Sequence, residues 1–319
     1  MQTQFLSCDW GTSSFRLSLV SAADGAMICS RSTPDGVGVL FRRWKGEGET
    51  EDRQVFFLRY LGQQVELLKK ACEHRFSPEK IIVSGMASAS IGMCELPYAV
   101  LPFSLSGENL VSSEIYSPDL CPFPVKLISG VRSADDIMRG EETQMLGLRE
   151  KIGGESAICI LPGTHSKHIA VSGSKITGFH TWMTGEVFQL LATQSILAAS
   201  VNGEAPGWDE TAFREGILLA QNQPLLQTIF SVRTGNLFGK RNLTSGYHYL
   251  SGLLIGSEIA GLNINPSQRI LLSAPEKMRN AYTIALEMAG YGKSLMILAS
   301  EENNQLAIEG QRQIFSSVY

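Results

Sequence analysis

One pattern occurs twice in this chain of 319 residues, and it constrains the fold more than any other feature of the sequence. The first copy, at 5–20, reads FLSCDWGTSSFRLSLV, and the second, at 157–171, reads AICILPGTHSKHIAV. In both copies apolar residues lead into a turn of the form G-T-x-S and then resume, which predicts a β-hairpin. A further short turn and a third strand-like run follow each copy, at 21–29 and 172–182. Both halves are therefore predicted to begin with the same three-stranded meander.

After each meander, runs with helical spacing alternate with short apolar runs typical of buried strands. The first half has one helix-like run and two strand-like runs, at 55–72, 80–85 and 126–130. The second half has helix-like runs, two strand-like runs and a closing helix-like run, at 184–199, 212–220, 250–262, 270–273, 294–299 and 301–316. The order βββαβαβα is thus predicted twice, which indicates an α/β protein of two similar lobes.

The bulk properties exclude several classes of protein. With 44% hydrophobic and 18% charged residues the chain is an ordinary globular protein, long enough for two domains. A net charge of −4 and a pI near 5.8 give no basic excess, so a nucleic-acid partner is not expected. There is no membrane-length apolar run and no basic segment followed by an apolar one at the start, which predicts no membrane partner and a cytoplasmic location.

Six cysteines are scattered without a C-x-x-C pair, so the sequence signals neither a zinc site nor a thioredoxin motif. Most of them are expected to be buried thiols. His165 and His168 form H-x-x-H, but on a strand they point to opposite faces, and a metal site there is not predicted.

The two G-T-x-S turns have the composition of phosphate-binding loops, because backbone N–H groups and hydroxyls can contact phosphate oxygens where no bulky side chain intervenes. The candidates for contact with a nucleotide are Gly11, Thr12, Ser13 and Ser14 in the first copy, and Gly163, Thr164, His165 and Lys167 in the second. Asp9 ends the first strand beside its turn, where a carboxylate suits Mg²⁺ held through water. The structural alternatives are two ordinary hairpin turns, a turn cap at Asp9 and an exposed lysine at Lys167.

Four ordered motifs resemble the 2-dehydro-3-deoxygalactonokinase family: DWGTSSFR at 9–16, MRGEETQ at 138–144, PGTHSK at 162–167 and TGE at 184–186. That family belongs to the superfamily of sugar kinases, actin and heat-shock-chaperone ATPases. The resemblance therefore implies two actin-like (ribonuclease H-like) lobes with an interlobe ATP cleft. It also implies transfer of the ATP γ-phosphate to the 6-hydroxyl of 2-dehydro-3-deoxy-D-galactonate, with Mg²⁺, in galactonate and galactose catabolism. One departure is SAPE at 273–276, where such kinases often have a Gly-rich turn beside the adenosine.

On this basis the lobes are predicted at 1–145, on the sugar-acid side, and at 151–300, on the nucleotide side. A C-terminal helix is predicted at 301–319, and its return to the N-terminal lobe is left open. The sequence also leaves open whether the protein forms a homo-oligomer and which stereochemistry of sugar acid it accepts.

The resemblance implies that the catalytic residues lie in the segment SADDIMRGEE at 133–142. Ser133 with an acid three residues later resembles a capping box, which predicts a helix from there to about Arg149. Glu141 and Glu142 are the candidate bases, and since neighbours on a helix lie about 100° apart, one of them is expected to reach the substrate, with a preference for Glu142. Arg139 is predicted to contact the phosphate or the substrate carboxylate, the alternative being a solvated surface arginine.

A second segment, SGMASASIGM at 84–93, has the small residues and hydroxyls of a loop around a polar ligand. A structural strand-to-helix turn explains it equally well. The resemblance favours a sugar-acid pocket, for which the candidate residues are Ser84, Met86, Ala87, Ser88 and Ser90, together with Arg16.

For the adenosine, the candidates are Gly252 and Gly256, spaced i, i+4 in a helical pattern, and Ser273 after a late strand. The two glycines could instead let two helices pack closely. Two other functions remain as alternatives at this stage: an exopolyphosphatase-type phosphatase, whose acidic helix follows a similar I-S-G turn, and a non-enzymatic actin-like ATP-binding protein.

Overall fold

The computed structural model of the protein describes residues 3–202, 207–265 and 267–317. The chain divides into two compact units, which are described separately. Unit 1 comprises Met1–Glu155, Ser172–Gly178 and Asn304–Tyr319, and unit 2 comprises Ser156–Val171 and Phe179–Asn303.

Unit 1 is built on a mixed sheet with helices packed against it. Its strands in chain order are β1 Gln4–Trp10, β2 Phe15–Ser21, β3 Met27–Thr33, β4 Pro78–Gly85, β5 Ala99–Val100, β6 Phe103–Ser104, β7 Ser112–Ile115, β8 Val125–Ile128, β9 Val131–Arg132 and β10 Ile137–Met138. Its helices before residue 155 are α1 Val37–Gly46, α2 Arg53–Ala71, α3 Glu141–Gly147 and α4 Arg149–Ile152. The main sheet has the order β3-β2-β1-β4-β8-β7, and a small sheet has the order β10-β9-β5.

Unit 2 repeats this topology. The strands of its sheet are β11 Ala157–Leu161, β12 Ser166–Ser172, β13 Lys175–Trp182, β14 Arg269–Leu272 and β15 Leu295–Ile297. Residues 172–178, at the end of β12 and the start of β13, belong to unit 1. The helices of unit 2 are α5 Thr184–Gln194, α6 Glu210–Asn222, α7 Leu225–Thr228, α8 Ser231–Leu237, α9 Leu243–Ala260 and α10 Glu276–Met288. The strand order is β15-β14-β11-β12-β13-β6, where β6 pairs with the unit 1 part of β13, β12 is antiparallel to β11, and β14 and β15 run parallel to β11.

The two sheets confirm the predicted repeat. In both units, two further strands extend the sheet on the side of the first meander strand and run parallel to it. In unit 1 these strands are β4, which pairs with β1, and β8, which pairs with β4. The observed fold is therefore the α/β class with two lobes of actin-like topology, as the sequence predicted.

The apolar residues that flank the first G-T-x-S turn anchor the hairpin in the core. Trp10 and Phe15 are the last residues paired across the β1–β2 hairpin, both are fully buried, and their rings meet edge to face at 4.9 Å. Phe57 of α2 packs on the same indole at 5.5 Å. This aromatic cluster holds the base of the hairpin in the core and leaves residues 11–14 at its tip.

The predicted start of the helix at Ser133 is wrong. The Ser133 hydroxyl accepts a hydrogen bond from the Asp136 amide at 2.9 Å, but this closes a turn between β9 and β10, where Ile137 pairs with Arg132. Helix α3 begins only at Glu141, since Gly140 has a φ of 106°, which is not a helical conformation. The helix predicted over 184–199 is also shorter: α5 ends at Gln194, and a 3-10 turn follows at Ile196–Ser200.

Helix α11 (Ser300–Ser316) closes the described part of the chain, and its residues from Asn304 onward belong to unit 1. It crosses α3 at very short range, because a Cβ on Gly310 would overlap the Thr143 carbonyl oxygen. Gln311 is fully buried and donates hydrogen bonds to the Cys8 carbonyl at 3.0 Å and to the Ser84 hydroxyl at 2.8 Å.

Replacing Gly310 by Ala should therefore destabilise unit 1 by about 3 kcal/mol, since a methyl group has no room between two helix backbones. Urea unfolding followed by far-UV circular dichroism measures this loss. Gly46→Ala is the matched control: no atom lies within 4 Å of a Cβ there, so its stability should stay near that of the wild type. An unchanged Gly310→Ala midpoint would contradict the packing of α11 on α3.

Of the six cysteines, Cys8, Cys121 and Cys159 are buried free thiols, as expected, and Cys94 is half-buried. Cys29 of β3 and Cys72, which follows α2, form a disulfide that the spacing did not predict. Among the helices of the described residues, none has the length and apolarity needed to cross a membrane. The cytoplasmic location stays a prediction.

Candidate functional site

The first G-T-x-S turn is fixed by hydrogen bonds on two sides. Within the turn, the Gly11 amide donates to the Ser14 carbonyl at 2.9 Å. From outside, the Val37 and Gly38 amides at the start of α1 donate to the carbonyls of Gly11 and Thr12, at 2.9 and 3.0 Å. With these carbonyls occupied, the tip of the turn presents the exposed Thr12 and Ser13.

Asp9 lies next to this turn at the end of β1, where it pairs with Ser84 of β4. Its carboxylate is half-buried and forms an ion pair with Arg16 of β2, Oδ2 to Nη1, at 3.0 Å. Burial raises the pKa of Asp9, and the charge of Glu141 raises it further, although Arg16 acts in the opposite direction. Gly140 packs on Gly85 of β4, with its Cβ position 3.3 Å from the Gly85 Cα, so the structure brings Glu141 of one motif to the region of Asp9 and Arg16 of another.

A magnesium ion fits Asp9. Its half-buried carboxylate beside the turn offers the hard oxygen ligands that Mg²⁺ prefers. No cluster of three or more His, Cys, Asp or Glu residues suited to a metal occurs in the described ranges. Water molecules would therefore have to complete the coordination, as is usual for this ion.

The two candidate bases have different environments. Glu142 is completely buried; its Oε2 accepts a hydrogen bond from the Gly140 amide at 2.6 Å, and its Oε1 accepts one from the Thr143 hydroxyl at 3.0 Å. Burial, followed by repulsion from Glu141, raises the pKa of Glu142 to about 7. Glu141 is half-buried, and its Oε2 accepts from the Arg139 amide at 2.9 Å. In this conformation only Glu141 can contact a ligand directly.

The buried acid predicts a pH effect on stability. In the unfolded chain a Glu titrates at about 4.3, so unfolding releases the Glu142 proton at pH values between about 4.3 and about 7. The free energy of unfolding should fall by roughly 3 kcal/mol from this group as pH rises through that window, and Glu142→Gln should lack this fall. Urea unfolding at several pH values measures it, with the exposed Glu114→Gln as the control that keeps the wild-type slope. Parallel curves for Glu142→Gln and wild type would contradict the raised pKa.

Arg139 is held by a set of contacts in unit 1. Its guanidinium lies over the Tyr98 ring at 4.2 Å and donates to the hydroxyls of Ser88, at 2.5 Å, and Ser129, at 3.4 Å. Its Nε is buried and finds no hydrogen-bond partner among the residues that the structure describes. Arg139 is therefore half-buried and oriented, unlike the solvated surface arginine of the alternative hypothesis.

The segment at 84–93 is more buried than the sugar-acid hypothesis requires. Ser84 and Ala87 are buried, with Ser84 facing Gln311, so a ligand contact of these two side chains is not supported. Ser88 is also buried, and its hydroxyl donates to the Ile128 carbonyl at 2.6 Å and accepts from Arg139. Met86 is half-buried and Ser90 is exposed, so these two remain available to a ligand.

In unit 2, the second turn is backed by helix α5 in the same way that α1 backs the first. The Glu186 amide donates to the Thr164 carbonyl at 3.0 Å, and the His165 Nε2 and a Glu186 carboxylate oxygen lie 2.5 Å apart. A Cβ on Gly185 would lie 2.8 Å from the Thr164 Cα, so only glycine allows this approach. Thr164 and His165 are exposed at the tip.

A cavity of about 270 Å³ lies in unit 2 beside the start of α5. Aromatic, aliphatic and polar side chains line it, namely Thr184, Phe188, Trp208, Tyr247, His248, Ser251, Leu254, Ile255, Lys277, Met278 and Ala281, with Gly185. The rings contact one another: Trp208 and His248 are 4.8 Å apart, and Phe188 and Tyr247 are 4.9 Å apart. A mainly apolar cavity with aromatic walls and few polar groups suits a flat heterocycle.

The glycines of α9 serve helix packing. A Cβ on Gly252 would overlap the Phe213 carbonyl oxygen, and a Cβ on Gly256 would lie 2.8 Å from the Ile217 Cα, so both glycines face α6. This is the helix-packing alternative, and a direct nucleotide contact of these glycines is not supported. Their neighbours Ser251 and Ile255 line the cavity instead.

Two other nucleotide candidates are enclosed. Lys167 is buried, and its Nζ donates to the His165 carbonyl at 3.3 Å, so it is not the exposed lysine of the structural alternative. Ser273 is buried, and its hydroxyl donates to Asn303 Oδ1 at 2.5 Å. In both cases the side chain supports the local structure, and direct contact with a ligand would require it to move.

The sequence did not identify most of the cavity residues. Trp208, Tyr247 and Lys277 lie in three separate segments with no shared motif. Tyr247 is followed by the glycine pattern that was assigned to the adenosine. The signal that could have found this cavity is the polar and aromatic start of α9, LTSGYHYLSG at 243–252, which differs from the apolar run at its centre.

Comparisons with known proteins show the family of the chain. A family model described as 2-keto-3-deoxy-galactonokinase matches residues 9–313. Over 264 residues the chain is 33% identical to "Probable 2-dehydro-3-deoxygalactonokinase DgoK1" of Rhizobium meliloti (strain 1021), covering 81% of this chain and 79% of that one. It is 28% identical over 301 residues to the 2-dehydro-3-deoxygalactonokinase of Escherichia coli (strain K12), covering 91% of each.

The same similarity appears in three dimensions. The crystal structure of a Sinorhizobium meliloti protein assigned as 2-dehydro-3-deoxygalactonokinase superposes with a TM-score of 0.80 and 28% sequence identity, covering 98% of this chain and 100% of the other. These matches favour the kinase hypothesis over the phosphatase and filament alternatives.

Proposed function

Because this chain belongs to the 2-keto-3-deoxy-galactonokinase family, we propose that it transfers the γ-phosphate of ATP to the 6-hydroxyl of 2-dehydro-3-deoxy-D-galactonate. The observation in this structure that carries the proposal is the position of Asp9 and Glu141. Asp9 ends β1 beside the glycine-, serine- and threonine-rich turn, and Gly140, which precedes Glu141, packs on Gly85 of the neighbouring strand β4, with its Cβ position 3.3 Å from the Gly85 Cα. Acids of two different motifs are thereby brought to one region of unit 1, as phosphoryl transfer requires.

Within unit 1, Glu141 accepts the proton of the attacking hydroxyl, because it is the candidate base that a ligand can reach. The preference of the sequence for Glu142 is thereby changed: Glu142 supports the Gly140 turn from inside. Arg139 binds the carboxylate of the sugar acid, for which its half-buried and oriented guanidinium is suited. Met86, Ser90 and Arg16 are proposed to surround the same ligand.

Asp9 is the residue that would hold Mg²⁺, with water completing the coordination, so that Glu141 stays free to act as the base. When bound, the ion neutralises charge on the phosphate oxygens during transfer. The exposed turn at Gly11–Ser14 binds phosphate oxygens through its hydroxyls and the amides at its tip.

Within unit 2, the adenine base occupies the aromatic cavity, and the turn at 162–165 binds the phosphates. Thr184 and Gly185 line that cavity, and Gly185 also touches the turn, so one ligand of nucleotide size can contact both. Lys277 at the cavity wall adds positive charge.

Thr164→Val should raise the Kd for ATP about tenfold, because it removes an exposed hydroxyl that contacts phosphate while keeping the β-branched shape. Isothermal titration calorimetry with ATP measures this. Thr177→Val, at an exposed threonine of β13, is the control and should bind like wild type. Equal affinities for all three proteins would return the second turn to a purely structural role.

The activity itself is tested by ADP release, measured in a coupled assay with a panel of acceptors. The panel contains 2-dehydro-3-deoxy-D-galactonate, its gluconate-derived epimer and a blank without acceptor. The proposal predicts ADP release that depends on the acceptor and is fastest with the galactonate-derived acid. ADP release at the same rate in the blank would indicate an ATPase or phosphatase and contradict the proposal.

A further inference from the structure

A buried acid in unit 2 lies beneath the phosphate-binding turn, and the sequence assigned it no role. Glu258 of α9 is almost completely buried, and four donors surround its carboxylate. Oε1 accepts from the Ser166 hydroxyl at 2.6 Å and is 2.8 Å from the His168 Nε2. Oε2 accepts from the hydroxyls of Thr184 at 2.5 Å and Tyr282 at 2.7 Å. All acceptor positions of the carboxylate are therefore used.

The four contacts keep this carboxylate ionised. Burial alone would raise the pKa of Glu258, but the hydrogen bonds from His168, Ser166 and Thr184, with the charge of His168, bring it below the ordinary value. An ionised acid in such surroundings is stable only while its donors stay in place. Ser166 of the hairpin and Thr184 of α5 are consequently linked to each other through the two oxygens of Glu258.

Two of the linked donors define the phosphate-binding turn. Ser166 is the first residue of β12, directly after the turn at 162–165, and Thr184 is the first residue of α5. The next residue, Gly185, touches the turn backbone, and the Glu186 amide binds the Thr164 carbonyl at 3.0 Å. The turn, through Ser166, and the start of α5, through Thr184, thus bind the same carboxylate.

We propose that Glu258 is a positioning residue for ATP: it fixes the turn at 162–165 against the start of α5, and so sets the geometry in which the turn binds phosphate. This inference rests on the proposed function, because it takes ATP as the ligand of the turn. Glu258 does not touch the nucleotide. Its effect passes through Ser166 and Thr184.

Two variants separate positioning from stability. Ser166→Ala and Tyr282→Phe each remove one hydroxyl that donates to the same carboxylate, and both residues are fully buried. Ser166 belongs to the hairpin, whereas Tyr282 belongs to α10, and loss of its hydroxyl leaves the hydrogen bonds of Ser166 and Thr184 to Glu258 in place. The melting temperatures of the two variants should therefore fall by similar amounts, but only Ser166→Ala should loosen the turn.

The measurement is the Kd of a non-hydrolysable ATP analogue by calorimetry, together with KM for ATP and for the sugar acid. We expect the Kd of the analogue and the KM for ATP to be about tenfold higher in Ser166→Ala. In Tyr282→Phe both constants should change less than twofold. The KM for the sugar acid should be unchanged in both variants. Glu258→Gln should show a larger effect of the same kind as Ser166→Ala. Equal ATP affinity in Ser166→Ala and Tyr282→Phe, with wild type binding normally, would overturn the positioning role alone. A wild type that does not bind the analogue would overturn the proposed function as well.

Discussion

Replacing Glu141 by Gln should lower kcat roughly 10²- to 10⁴-fold with a modest change in KM for the sugar acid. This is the usual contribution of a positioned general base to the rate. Gln keeps the length of the side chain and an oxygen that can accept from the Arg139 amide, so the turn before α3 should stay intact. What is lost is the ability to take the proton of the 6-hydroxyl. Steady-state kinetics with saturating ATP measures the effect.

Glu142→Gln is the matched control, because it makes the same change at the adjacent position. A fully buried side chain cannot reach a substrate hydroxyl, so its kcat should stay within about tenfold of wild type. A larger loss of kcat in Glu142→Gln than in Glu141→Gln would instead identify Glu142 as the base, as the sequence predicted. If both variants keep nearly wild-type kcat, neither glutamate is the base, and Asp136 is the next acid to test.

Replacing Asp9 by Asn should reduce kcat by roughly 10³-fold or more at limiting Mg²⁺ and raise the Mg²⁺ concentration needed for half-maximal rate. The amide is neutral and is a poorer ligand for a hard cation than a carboxylate. The fold should be preserved, because the ion pair with Arg16 is partly exposed and such pairs contribute about 0–1 kcal/mol.

The control for Asp9 is Asp24→Asn in the β2–β3 turn of the same unit, where the carboxylate oxygen accepts from the Ala26 amide at 3.2 Å. It should keep the wild-type dependence of rate on Mg²⁺. Thermal unfolding of both variants verifies that any loss at Asp9 does not come from unfolding. Normal turnover of Asp9→Asn at limiting Mg²⁺ would remove Asp9 from the site.

The sequence predicted the features that depend on residues close to one another in the chain. The period-2 runs and the G-T-x-S turns identified both meanders, since a hairpin is specified by residues that are neighbours in the chain. The helical spacing at 55–72 identified α2, observed at Arg53–Ala71. The repeated order of elements then predicted the two-lobed α/β fold, because consecutive strands joined by short turns or by helices usually become neighbours in one sheet.

What the sequence could not predict depends on contacts between distant segments. The complete burial of Glu142 and the exposure of part of Glu141 arise from how α3 packs, which no spacing rule gives for adjacent residues. Likewise, the glycines of α9 face α6 because of helix packing. Glu258 and its partner Ser166 are 92 positions apart, so their hydrogen bond left no local signal.

The most direct test of the central claim is ³¹P NMR of the reaction mixture after incubation of the purified protein with ATP, Mg²⁺ and 2-dehydro-3-deoxy-D-galactonate. The account predicts a new phosphomonoester signal coupled to the two protons on C6, growing as ADP accumulates, and absent with Glu141→Gln over the same time. A spectrum in which ATP is converted only to ADP and inorganic phosphate, or in which the phosphate is attached elsewhere on the sugar acid, would contradict it.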